Sequence, residues 1–458
     1  MSSQALRAPS RRWVVPLSLA LIGLVYLWFW SVIAHRIAGR PFEGFAKVFT
    51  TGCGDFEHFY WGAHALRDGA DLYASGVRGY IYPPLIAFLF TPLTFFSVQT
   101  AAWIMLVINL ALGLACTWAM SQEVMRRLDI GETFERVIVV MAVTTLLAAP
   151  KLRSEFQMWQ TNILLMTALV YALRALDARP WLAGLLLGFA FNIKYLPVIF
   201  LPYLLLRRRY QAAAWFVMGI GVFAMLPALV SGWTANLANW AVALSGIANL
   251  LGLSTVLPEA ANVDPIGIGH SISITSGLSR LLGDKVPPSH AMSIAACVAI
   301  AAALLLRWVY ADRDKPVFAW PVAAAQGAQP YRGMVALEWA ALMALALAFS
   351  PQTNPRHASM LMMVFAPLAA MLCFPRDKAS RWPALAATAI LFFGLAFPPN
   401  TPEFARQLEW WRTVGGAGWC MVLMLPFYFA AGFAQLAGAP SRETTSEETT
   451  PASLEAAG

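Results

Sequence analysis

Long apolar runs recur along this chain at short intervals, and the basic residues are confined to small clusters between them. A helix needs ~20 mostly apolar residues to cross the hydrocarbon of a bilayer. Runs of this kind occupy residues 13–34, 100–120, 212–230, 291–310 and 414–436. Shorter or polar-interrupted ones fall at 137–150, 162–175, 334–350, 358–374 and 383–398. The stretch 181–206 is broken by Asn192, Lys194 and Pro197 and reads as a helical hairpin with two short arms. Such breaks are tolerated in a membrane where they line protein or a watery cavity. Composition agrees, with 59% hydrophobic and only 12% charged residues, against about 25% charged in a soluble domain. The fold class that follows is all-α, a polytopic integral membrane protein.

The net charge of +8 is scattered between apolar runs, so it builds no face for nucleic acid. The five cysteines (Cys53, Cys116, Cys297, Cys373 and Cys420) have neither metal-ligand spacing nor a disulfide pattern. The first apolar run exceeds the ~7–15 residues of a signal-peptide core and lacks a cleavage site, so it reads as a retained span.

Lys and Arg mark the cytoplasmic side. With the N-terminus inside, that side collects Arg126, Arg127 and Arg136; Arg174 and Arg179; Arg207, Arg208 and Arg209; Arg313 and Lys315; and Arg376, Lys378 and Arg381. This works only if residues 82–96, which contain Pro83, Pro84 and Pro92, do not cross. The count is then about twelve spans with both ends inside, in a cytoplasmic membrane. Two outer loops are long, 36–99 and 231–290. Residues 1–440 form the membrane domain, and the Thr/Glu-rich 441–458 reads as a disordered cytoplasmic tail.

The unusual polar residues gather at the outer ends. The first loop carries Asp55, Glu57, His58, Tyr60 and Trp61, then Tyr73 and Tyr82. On a helix Asp55, His58 and Phe59 share a face, which suits an interfacial helix holding a carboxylate at the lipid boundary. An acid at a helix start can equally be a cap. Asp55 and Glu57 together are a weak signal for a divalent ion, and the reading is that no cofactor is used. Further outer turns hold Glu155 to Asn162, Lys194 beside Asn192 and Tyr195, and Ser350 to His357 with Arg356. An ionisable residue beside a membrane span is costly without a partner and marks a functional candidate. Cations, a carboxylate, a histidine and amides on one side suit an anionic lipid head group and a polar acceptor.

On these motifs the chain resembles glycosyltransferase family 87, in the GT-C superfamily of polyprenyl-phosphate-sugar-dependent membrane transferases. The first-loop pattern of that family is matched by Asp55 to Tyr60, by Gly69 to Tyr73 and by Tyr82 to Leu85. Its Gly-Gln-x-Asn turn corresponds to 159–162, with Trp159 in place of Gly, and its Gly-rich helix ending in Lys to Gly184, Gly188 and Lys194. An Asn-Gln-Ser…Arg segment appears as Gly269, His270 and Ser271 followed by Arg280, without the Asn-Gln pair. A Ser-Pro-x-Ser-Trp-x-His-His turn appears as Ser350 to His357, keeping one His and lacking Trp.

The resemblance implies a GT-C-like bundle with in-plane helices in the first extracytoplasmic loop and an active site on that face. It implies transfer of a sugar, with mannose favoured, from a polyprenyl phosphate to a lipid or glycan acceptor, the membrane itself being a partner. Asp55 is then the general base, with His357 catalytic beside it, and Lys194, Arg356 and Arg280 hold the donor phosphate. Glu57, His58, Tyr60, Tyr82, Trp159, Gln160 and Asn162 are the expected sugar and acceptor contacts. A pentosyl donor such as arabinose, or a lipid-linked-sugar flippase, are the alternatives. Matching broken helices in two repeated halves would favour a transporter; one broken hairpin and no repeat are seen.

Overall fold

The structure, a computed structural model, describes residues 13–38, 55–75, 80–250, 264–283, 285–310, 317–318, 329–378, 380–399 and 401–437. The tail 441–458, part of the first loop and part of the second lie outside these residues. The described residues form helices and no strands. In lipid this is the expected outcome, since a helix satisfies its own backbone groups where water is absent. Eight helical segments among the described residues are long and apolar enough to cross a membrane, and five shorter apolar helices accompany them. The chain is a multi-pass membrane protein.

After α1 (Val14–Ala38), the first loop folds into α2 (Phe56–Asp68) and α3 (Pro84–Phe90), which continues as a 3-10 turn Thr91–Phe95. Gly69, at φ 70°, ends α2 in the left-handed conformation that glycine adopts without a Cβ clash. The long α4 (Val98–Arg127) starts where Ser97 Oγ accepts the Thr100 N–H at 3.2 Å. Next, α5 (Phe134–Gln157) runs straight through Pro150, where the sequence predicted an end, and so carries Glu155 into the site described below.

The expected hairpin is α7 (Pro180–Ile193), which follows α6 (Asn162–Ala175), then a 3-10 turn Leu196–Ile199 and α8 (Phe200–Leu206). Two glycines hold α7 against the parallel α9 (Tyr210–Met225). A Cβ at Gly184 would lie 2.4 Å from the Ala212 carbonyl oxygen, and one at Gly188 would lie 2.5 Å from the Gly219 backbone. Small residues four apart let membrane helices approach backbone to backbone. This packing fixes the end of α7, where Lys194 sits.

The loop expected over 231–290 is instead largely helical where described. A short α10 (Ala228–Ser231) leads into α11 (Trp233–Leu250), and α12 (Ile274–Leu282) precedes α13 (Pro288–Val309). The remaining helices are α14 (Gln329–Phe349), α15 (Met362–Cys373), α16 (Arg381–Ala396), α17 (Ala405–Thr413), α18 (Gly416–Leu423) and α19 (Leu425–Leu436).

Among the described residues, the buried charged side chains gather in two main places. In one, Arg127 pairs with Glu123 and with Asp177 at 3.0 Å, and Arg209 reaches Asp177 at 2.6 Å. Close by in the same end of the bundle, Arg207 pairs with Glu338, which also accepts the Tyr203 hydroxyl at 2.8 Å. Buried pairs of this kind add little net stability but penalise any arrangement that parts them. These are the basic turns expected on the cytoplasmic side. The turns expected on the outer side meet in the second place.

Candidate active site

Asp55 stands at the N-cap of α2 but makes no side-chain cap bond. Its carboxylate accepts instead from Gln160 Nε2 and from Arg356 Nη2 at 2.9 Å. The aromatic face of α2 presses it into place: Phe56 packs on Phe90 and on Trp159, and Phe59 on Tyr82 and Phe90, with ring centres 4.8–6.5 Å apart. The capping alternative is thus not what the carboxylate does.

Lys194 is the hub. Its ammonium donates to Asn162 Oδ1 at 2.7 Å and Gln160 Oε1 at 3.3 Å, contacts His357 Nε2 at 3.2 Å, and lies 5.6 Å from the Tyr82 ring centre. Burial pulls its pKa down to about 8, with the Glu155 carboxylate opposing the shift, Arg356 adding to it and Asp55 opposing it. Tyr82 is shifted upward by burial and the nearby Asp55 carboxylate, so its hydroxyl stays neutral.

Arg356 and His357 come from the 3-10 segment Pro355–Leu361. The His357 Nδ1 accepts the Asn354 backbone N–H at 3.3 Å. That pattern assigns the proton of the neutral ring to Nε2. The Nε2–H then faces the Lys194 ammonium across 3.2 Å, donor to donor, with the Arg356 guanidinium on the adjoining residue. Such a group of donors is what an anionic oxygen requires.

Several expected contacts have other roles. Gln160 and Asn162 are fully buried, and their amides link carboxylates to Lys194 rather than standing open to a sugar. Trp159 is also fully buried, donates from Nε1 to the Ala102 carbonyl at 3.1 Å, and offers no face to a ligand. Its φ of 46° lies in the left-handed region, where a bulky residue is strained and glycine is not. That accounts for glycine at the corresponding position of the family motif. Tyr60 is buried, with its hydroxyl on the Phe96 carbonyl at 2.8 Å. Arg280 stands apart from the Asp55 group and donates to the carbonyls of Ile268 at 2.7 Å, Ser271 at 3.0 Å, Thr413 at 3.4 Å and Arg412. Burial lowers its pKa to about 10, and its guanidinium ties the second loop to α17. Glu57 is buried and His58 half-buried on α2. Among the described residues no three His, Cys, Asp or Glu side chains cluster as a metal site.

One participant was not among the expected contacts. Glu155, buried to 1% exposure, accepts the Asn162 backbone N–H at 2.9 Å, Asn162 Nδ2 at 2.7 Å and the Ser359 hydroxyl at 3.3 Å. An acid near the end of an apolar helix was its sequence signal.

Fold and site together define a multi-pass membrane protein with a carboxylate beside a cationic, donor-rich group at one end of the bundle. The model of glycosyltransferase family 87 matches residues 80–328. This segment holds Tyr82, the 155–162 turn, Lys194 and Arg280, while Asp55, Arg356 and His357 lie outside it. The chain belongs to glycosyltransferase family 87.

Two similar relatives are each named polyprenol-phosphate-mannose-dependent alpha-(1-2)-phosphatidylinositol mannoside mannosyltransferase. The one from Mycolicibacterium smegmatis is 26% identical, over 94% of this chain and 87% of its own length. The one from Mycobacterium tuberculosis is 30% identical, over 41% of this chain and 47% of its own. A pentamannoside mannosyltransferase of M. tuberculosis is 30% identical over 51% of this chain and 50% of its length. Among solved structures, ArnT from Cupriavidus metallidurans bound to undecaprenyl phosphate covers 93% of this chain and 78% of its own. It does so at 11% identity and a TM-score of 0.40, too distant to argue from.

Proposed function

We propose that this protein transfers mannose from a polyprenyl-phosphate donor to a lipid or glycan acceptor at the extracytoplasmic face of the cytoplasmic membrane. The relatives named above support the donor. The observation that carries the chemistry is Asp55, a carboxylate free of any capping bond, held beside Lys194, Arg356 and His357.

The acceptor hydroxyl attacks the anomeric carbon as the bond from that carbon to the phosphate oxygen breaks. Its proton goes to the Asp55 carboxylate, and the bonding pair leaves with the polyprenyl phosphate, inverting a β-linked donor to an α-glycoside. The growing phosphate charge falls to Lys194, Arg356 and the Nε2–H of His357. With Nδ1 engaged, His357 serves as a donor to phosphate rather than as a second base.

Arg356 is bound to Asp55 and competes with the proton it must take. The donor phosphate offers Arg356 another anion, so donor binding frees the base. Arg280, whose guanidinium is occupied by carbonyls, is left out of the phosphate site.

Incubating purified protein with radiolabelled polyprenyl-phosphate sugars and extracting membrane lipids tests the reading. Mannose label is expected to move to a lipid product. Transfer of arabinose label alone would replace the donor, and transfer of neither would overturn the function.

A further inference from the structure

The two carboxylates near Lys194 have different partners. Asp55 is paired with Arg356 at 2.9 Å and reaches Lys194 only through the longer Gln160 bridge, at 3.3 Å, whereas Glu155 is the acid behind the shorter Asn162 bridge. Glu155 does not touch Lys194; Asn162 stands between them. Its Nδ2 donates to Glu155 Oε2 at 2.7 Å, and its Oδ1 accepts from Lys194 at 2.7 Å. An amide has one donor end and one acceptor end. The Glu155 carboxylate, which can only accept, therefore fixes which way Asn162 points and turns its oxygen to the ammonium. Glu155 also takes the Asn162 backbone N–H at 2.9 Å and the Ser359 hydroxyl at 3.3 Å, so its own position is locked from two segments.

We propose that Glu155 is a positioning residue that acts through Asn162 to orient Lys194 and keep it charged for the donor phosphate. This rests on the transferase reading above. The groups facing Lys194 are Glu155 from α5, Asp55 at the start of α2, Gln160 and Asn162 from the intervening turn, Arg356 and His357 from the 3-10 segment, and the Tyr82 ring. Of the two acids, Glu155 supports the ammonium more strongly. Losing it removes an opposite charge and, because a glutamine keeps only one of the two acceptor oxygens that take the Asn162 backbone N–H and Nδ2, it also loosens the hold on that amide.

The test is the pH profile of donor kcat/KM. In the wild type the alkaline limb is expected near 8, where Lys194 loses its proton. Glu155→Gln is expected to move that limb down by about one pH unit, giving about a threefold loss at pH 7.5 that vanishes near pH 6. The swap Glu155→Gln with Asn162→Asp keeps the same shapes and returns a carboxylate to the Lys194 side, so it should restore the limb to about 8 or higher. An equal loss at every pH with the limb unmoved, or a swap that does not restore it, would reduce Glu155 to closing the turn.

A second readout needs no substrate. The amine of 13C-methylated Lys194, assigned by loss of its NMR signal in Lys194→Arg, should titrate lower in Glu155→Gln than in wild type. Equal titration overturns the proposal. A wild type that transfers no sugar would instead count against the transferase reading alone.

Discussion

Replacing Lys194 by Met removes an ammonium that holds Asn162 Oδ1 at 2.7 Å and Gln160 Oε1 at 3.3 Å and faces the proposed phosphate position. A charge-assisted bond to phosphate is worth roughly 1.5–3 kcal/mol, which is about ten- to a hundredfold in donor kcat/KM. Two buried amide oxygens lose their donor, at about 1–3 kcal/mol each. Removing a buried charge returns its desolvation cost, so stability should fall by less than those oxygens alone imply. Donor use is therefore expected to suffer more than folding, as read by initial rates at limiting donor beside a thermal melt in detergent. The pH dependence has a definite sign. Burial lowers the Lys194 pKa to about 8, so the ammonium is present below that value and lost above it, and donor kcat/KM should decline as pH rises through it. Lys194→Arg, which stays charged to ~12 or beyond, should abolish that limb while restoring only part of the rate, since a planar fork is not a compact ammonium. Wild-type kcat/KM in Lys194→Met at limiting donor, or an unchanged limb in Lys194→Arg, would refute this account of the lysine.

Three further outcomes can be stated. In a background without native cysteines, an impermeant thiol reagent on intact cells should label a cysteine replacing Asp68, which is 54% exposed at the C-terminal end of α2, and spare one replacing Arg208; the opposite pattern would invert the topology. Gly188→Val should force α7 off α9, because its Cβ would lie 2.5 Å from Gly219; a loss of about 1–3 kcal/mol and of activity is expected in melts and transfer assays. Gly221→Ala, with nothing within 4 Å of its Cβ, should be neutral or slightly stabilising.

The grouping of Asp55, Lys194, Arg356 and His357 was legible because, once the basic clusters are assigned to one side, the turns carrying these residues are left together on the other, and they do meet. Apolar length likewise announced most of the helices. What stayed hidden depends on contacts between distant segments. The Asp55–Arg356 pair spans some 300 residues with no local signature, and the direction of each amide follows from which carboxylate lies behind it. Gln160 and Asn162, which read as sugar contacts, accordingly show in the fold as bridges between carboxylates and Lys194. Arg280 looked like a phosphate cation, but nothing local announces that carbonyls from the second loop and from α17 will occupy it. Helix α11 lies in a stretch that composition made a loop, and α5 passes through a proline that normally ends a helix. Trp159 is instructive in another way. The departure from glycine is visible in sequence, while its left-handed backbone and buried indole emerge only in the fold.

The central claim is that Asp55 takes the acceptor's proton, and Asp55→Asn tests it most directly. The amide keeps the shape of the carboxylate and removes the proton acceptor, which typically costs ~10²–10⁴ in rate. The assay is transfer of radiolabelled mannose from the polyprenyl-phosphate donor by purified protein, with donor binding measured alongside. Turnover should collapse in Asp55→Asn while donor binding persists, because Arg356, released from its partner at 2.9 Å, remains available to the phosphate. Glu57→Gln should stay near wild type; equal loss in both variants, reversed by excess divalent ion, would point to a metal at the Asp55–Glu57 pair. Full turnover in Asp55→Asn would contradict the account and leave that carboxylate as no more than the partner of Arg356.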